Sequence, residues 1–157
     1  MRQVLTLVFL SISFLSSGQI PSGVYVDHFG HTLKINKDNT FKIEWQFDLA
    51  NNWSTGQWRI SNDTIYLRFV KVYDTLVREN KPDSLVLSAT EKSTSINEQQ
   101  YAIRCISSIN QRTDITDRLY LRGKQLFLVD KNGRLEKGKK PGMMKGTKYS
   151  TSYTRTK

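Results

Sequence analysis

Period-two alternation of apolar and polar side chains, turn residues between the alternating runs, and a length suited to one core predict a mainly β protein. The architecture expected is a single antiparallel meander or small barrel of roughly 8–10 strands. The clearest run sets Phe41, Ile43, Trp45 and Phe47 on one face and Lys42, Glu44, Gln46 and Asp48 on the other. Such a strand buries one face and wets the other. Around it, strands are predicted over 23–28, 32–36, 40–48, 54–61 and 64–70. The segments between them are rich in residues that tolerate a positive φ: His28 to His31 with Gly30, Asn36 to Asn39, and Ser61-Asn62-Asp63. Further strands are expected over 72–78, 84–89, 118–122 and 125–129, the last two joined across Gly123-Lys124. Hairpins in sequence order favour a closed barrel, which leaves no open sheet edge.

One stretch is two-sided. Ser95 with Glu98 fits a capping box that opens a short helix near 96–105, while Tyr101, Ile103 and Cys105 alternate as a strand would. Cys105, the single cysteine, is read as a small buried residue beside Ile103 and Ile106; alone, it allows no intramolecular disulfide.

The first residues read as a secretion signal. Arg2 precedes an uncharged run from Val4 to Leu15, followed by Ser16-Ser17-Gly18. That run falls short of the roughly 20 residues a transmembrane helix needs. The expected organisation is a signal peptide over 1–18, a β-barrel domain over 19–130 and a basic, partly disordered tail over 131–157. A secreted or periplasmic location follows, with no transmembrane span after cleavage.

The formal charge of +10 is uneven along the chain. Residues 131–157 carry nine Lys or Arg and one Glu, whereas residues 19–130 are nearly balanced, with 14 basic and 13 acidic side chains. The excess therefore belongs to the expected tail, a flexible segment that Tyr149 and Tyr153 are placed to pin. Lys137, Lys139, Lys140, Lys145 and Lys148 are its candidates for contact with an anionic surface. For an exported chain, envelope phosphate is a nearer source than nucleic acid, which is disfavoured as a partner.

Several pieces carry a resemblance: Gly23-Val24-Tyr25, residues 33–41 across a hairpin, Gly56-Gln57-Trp58, and Asn62-Asp63-Thr64-Ile65-Tyr66-Leu67. Together they resemble small secreted, lipocalin-like β-barrel proteins of Gram-negative bacteria, over less than half of the chain. The resemblance implies the barrel fold and little about function; such barrels include ligand binders and proteins without a known role. True lipocalins open with Gly-x-Trp, where this chain has Tyr25.

Chemistry-bearing constellations are sparse. Asp27, His28 and His31 have a metal-like spacing but no third histidine to join them, so no metal site is assigned. Glu44 with Asp48 or Asp63 would supply a carboxylate pair, but Glu44 sits on the wet face of its strand. No catalytic residue and no cofactor is assigned, and a non-enzymatic protein is expected. Its leading function is binding of a small apolar ligand or envelope component, with Tyr25, Phe41, Trp45, Phe47, Trp58 and Phe69 as candidate cavity residues. The alternative is an envelope accessory protein that docks on anionic lipid or an acidic partner through its basic tail.

Overall fold

The computed structural model describes residues 21–48, 50–113, 115–142 and 144–156. The predicted signal peptide and its cleavage site lie outside the described residues. The first five strands form a meander: β1 (Gly23–Val26), β2 (His31–Ile35), β3 (Thr40–Phe47), β4 (Ala50–Ser61) and β5 (Thr64–Phe69). An excursion follows, with β6 (Tyr73–Leu76), β7 (Ser84–Leu87), β8 (Ser95–Ile96), α1 (Glu98–Ser107) and β9 (Asn110–Gln111). The chain then returns through β10 (Arg118–Arg122) and β11 (Gln125–Leu128), turns out in a hairpin of β12 (Lys139–Pro141) and β13 (Lys148–Ser150), and ends in β14 (Tyr153–Arg155).

Strands β1, β2, β3, β4, β5, β10, β11 and β14 pair in that order, all antiparallel, and β14 closes on β1. The result is a closed eight-stranded antiparallel barrel with one short helix outside it. The Asn62-Asp63 turn joins β4 to β5 with φ of 48° and 57°. Positive φ at both central residues is what a tight two-residue hairpin loop of matching twist demands, and Asn and Asp tolerate it.

The interior is a continuous cluster that includes Tyr25, Leu33, Phe41, Trp58, Ile65, Leu119, Leu126 and Tyr153. Gly56 is the close approach that lets it form. It stands between Phe41 and Phe69 in register, whose rings meet edge to face at 5.3 Å. A Cβ there would lie 2.0 Å from the Arg68 carbonyl oxygen and 2.9 Å from Cε1 of Phe41, so only glycine fits.

Five sequence expectations need correction. The segment from 131 is not a tail beyond the barrel: Tyr153 is 7% exposed in the core and Tyr153–Arg155 is a barrel strand. The physical reason is closure, because β1 and β11 would otherwise present unpaired edges. Phe47, expected in the core with Phe41, is 50% exposed, because β3 runs past the end of the barrel. Strands 72–78 and 84–89 shorten to β6 and β7 and lie outside the barrel, in a separate sheet with β8. The helix is present, but Ser95 pairs within β8, so the capping box moves to Asn97 and Gln100, whose amides and side chains bond reciprocally at 2.8 and 3.0 Å. Cys105 on this helix is exposed rather than buried.

Polar groups hold the excursion together and against the barrel, where β9 pairs with β4. Gln111, 2% exposed, accepts from the Val72 amide at 2.8 Å and donates to the Val70 carbonyl at 2.7 Å. Asp74 is fully buried and pairs with Arg104 of α1, while accepting from the Thr94 amide at 2.7 Å. Burial acts to raise the Asp74 carboxyl, but the hydrogen bonds from Arg104, Thr94 and Ser88 outweigh it and hold it below its ordinary value.

Candidate functional site

One end of the barrel gathers most of the residues of interest. There β3 projects Trp45 and Phe47 beyond the packed interior, and their rings stack with centroids 6.2 Å apart. The β1–β2 turn lies beside them, with the Trp45 Nε1–H donating to the Phe29 carbonyl at 2.8 Å. Gly30 holds φ at +87° here, and a Cβ would meet the Gln46 carbonyl oxygen at 2.9 Å, so the turn needs glycine to reach β3.

Asp27 organises this turn. Its Oδ1 accepts from the amides of Phe29 and His31, both at 2.8 Å, and its Oδ2 pairs with His31 Nδ1 at 2.8 Å. Burial acts to raise the Asp27 carboxyl, but the His31 and Phe29 hydrogen bonds and the His31 charge hold it below its ordinary value. Tyr153 packs edge-on to His31 at 6.4 Å, and its phenol is raised by burial and then by the Asp27 charge. His28 points elsewhere and stacks on Tyr149 of β13 at 4.7 Å. The two histidines thus do different structural work, and among the described residues no group of three or more His, Cys, Asp or Glu could hold a metal ion.

The His28–Tyr149 stack brings the cationic hairpin to the same end. Lys137, Lys139, Lys140, Lys145 and Lys148 are all exposed on β12, β13 and their flanks. Glu136, the only acid between 131 and 157, stands 3.5 Å from Lys140. Asp48, in the β3–β4 turn, adds one opposing charge to this end. Gly142 fixes the hairpin's geometry: a Cβ would lie 2.4 Å from the Tyr149 ring and 2.5 Å from the Thr147 hydroxyl. At the hairpin tip Met144 is 74% exposed.

The six candidate cavity residues do not line one space. Tyr25, Phe41 and Trp58 fill the interior, Phe69 packs against that cluster, Trp45 caps its end and Phe47 faces solvent. Beneath Trp45 a pocket bordered by His31, Ile43, Asn52 and Ser54 holds about 10 Å³ of free space, room for a single water molecule. An eight-stranded barrel is just wide enough for its own side chains. A larger, open cleft of about 780 Å³ lies at the barrel's side, with Leu67, Phe69, Ile115 and Val129 as its apolar floor.

Sequence reasoning found the lysines, Trp45 and Phe47 but not that they share one end of the barrel. The signal it lacked was the strand character of 153–155, which turns the chain back and anchors the hairpin beside the β1–β2 turn. Comparisons with family models, curated proteins and solved structures find no match for this chain.

Proposed function

We propose that this chain is an exported, non-enzymatic, lipocalin-like barrel that docks on an anionic phospholipid surface of the cell envelope. The observation that carries the reading is the barrel end itself. Five exposed lysines on and beside one anchored hairpin stand with the half-exposed Phe47 and exposed Met144. Each lysine near an anionic bilayer contributes about 1 kcal/mol, screened by salt, and aromatic and thioether side chains enter the headgroup layer. The interior, filled by its own side chains, gives less support to a ligand held inside the barrel.

The test is binding to phosphatidylglycerol vesicles against phosphatidylcholine vesicles across a salt series. Neutralising Lys139, Lys140, Lys145 and Lys148 to Gln removes four charges and should weaken low-salt binding by on the order of several hundredfold. Equal binding to both lipids, or binding indifferent to salt and to these substitutions, defeats the reading.

A second reading, an apolar ligand, rests on the cleft over Leu67, Phe69, Ile115 and Val129. Native mass spectrometry of the purified protein would show such a ligand as a retained mass that Phe69→Ala removes while the lysine variant keeps it.

A further inference from the structure

The outer wall of the barrel carries a second cationic feature, separate from the hairpin. Strand register sets Arg59 opposite Tyr66 and Gln57 opposite Arg68, so the two arginines are diagonal neighbours that flank one tyrosine. The Arg59 guanidinium carbon stands 4.2 Å from the Tyr66 ring centroid. That stacking fixes the plane of the guanidinium and leaves its N–H edges to a partner. Arg118 of β10 is also in register with Tyr66, but it is engaged: it donates to the carbonyls of Asp130 and Lys131 at 2.9 and 3.2 Å and stands 3.5 Å from Asp117.

Neither Arg59 nor Arg68 has an ion-pair partner among the described residues. The outward positions of these strands, Thr55, Gln57, Arg59 and Ser61 on β4 and Thr64, Tyr66 and Arg68 on β5, include no carboxylate. Like charges on adjacent strands repel, and a counter-anion between them removes that repulsion. The surface is also concave here: a depression of about 430 Å³ is bordered by Gln57, Arg59, Tyr66 and Arg68, the size of a small-molecule site.

We propose that this depression binds a phosphate monoester, gripped between the Arg59 and Arg68 guanidiniums with the Gln57 amide as a neutral donor. A tetrahedral dianion offers two oxygen edges, each matched by a guanidinium fork, and the cavity has room for a small polar group attached to it. The monoester reaches the site from one of two sources, a soluble phosphate ester or the headgroup of a lipid. The proposal does not rest on the hairpin.

The test follows the arginine Nε–H signals of the isotopically labelled protein at fixed ionic strength while glycerol 3-phosphate is added. Saturable shifts at Arg59 and Arg68 are expected, and the exposed pair Arg59→Gln/Arg68→Gln should weaken binding at least about tenfold with an unchanged melting temperature. Lys34→Gln, on β2 and outside the depression, should leave it as it was. Phosphatidic acid vesicles in parallel identify the source: arginine-dependent binding to these alone assigns the lipid headgroup, and binding of the soluble ester assigns the free compound. Shifts that grow linearly and spread over all cations, or that persist in the double variant, overturn the proposal. So does saturation of the site by a single-stranded oligonucleotide when neither monoester binds.

Discussion

Phe41 and Phe47 occupy the same face of one strand, and truncating each to Ala separates the fold from the proposed docking surface. Phe41 is 1% exposed and packs against Phe69, so Phe41→Ala leaves a cavity and should cost about 3–5 kcal/mol. Phe47 is half exposed and touches Trp45. Losing that contact and its buried half should cost about 1 kcal/mol. The exposed half, on the order of 100 Å², contributes about 2 kcal/mol when it enters lipid, or roughly thirtyfold in partitioning. Urea denaturation reads the first effect as a shift of midpoint at constant slope, and vesicle co-sedimentation at high salt reads the second. Equal destabilisation by the two substitutions would mean that something covers Phe47 in solution. Unchanged partitioning of the stable Phe47→Ala protein would remove the aromatic residue from the docking surface.

Three other outcomes are expected. Gly56→Ala forces a Cβ into the Arg68 carbonyl and should destabilise by about 3 kcal/mol or more, seen as a lower melting temperature that Phe69→Ala does not restore, since the clash is with backbone. Asp27 and Asp74 are held below their ordinary values, so their stabilisation is present above the unfolded carboxylate range, near pH 4, and is lost as pH falls through the lower folded values; the acid limb of a stability–pH curve should flatten in Asp27→Asn and Asp74→Asn proteins. Deleting residues 151–157 removes β14 and should abolish cooperative unfolding and promote self-association by size-exclusion chromatography, because it opens the β1 and β11 edges.

What the sequence revealed divides by the range of the interaction. Alternation and turn chemistry are local, so the meander from β1 to β5 and the β10–β11 hairpin were legible, down to the Asn62-Asp63 turn. Strand β14 was not, because a three-residue strand of Tyr, Thr and Arg has too little alternation to register. Its identity comes from the edges it satisfies, over a hundred residues away in the chain on the β1 side. The inside–outside assignment on β3 failed at Phe47 for a related reason: alternation tells which face a residue takes but not where the barrel stops. Nor does alternation tell whether an aromatic residue fills a core or lines a cavity, a question of ring packing such as the Phe41–Phe69 contact over Gly56.

The closing strand also changes what the basic segment can do. A disordered cationic tail presents its charges in many arrangements, and ordering it on a surface costs conformational entropy, about 1–2 kcal/mol for each residue fixed. Here residues 139–150 are bounded by Glu136, whose amide donates to the Leu128 carbonyl at 2.8 Å, and by Tyr153 in the barrel core. His28 stacks on Tyr149 between them. The lysines are therefore presented on a backbone already held at both ends, and much of that entropy is lost on folding rather than on docking. The clasp that positions this end, Asp27 with His31, lies against the same Tyr153 that closes the barrel. Loosening the clasp should thus weaken lipid docking without removing a single lysine. Asp27→Asn at neutral pH is the variant that shows it, by a loss of vesicle affinity exceeding its effect on stability. Retained affinity in that variant would mean that the hairpin docks independently of the barrel end.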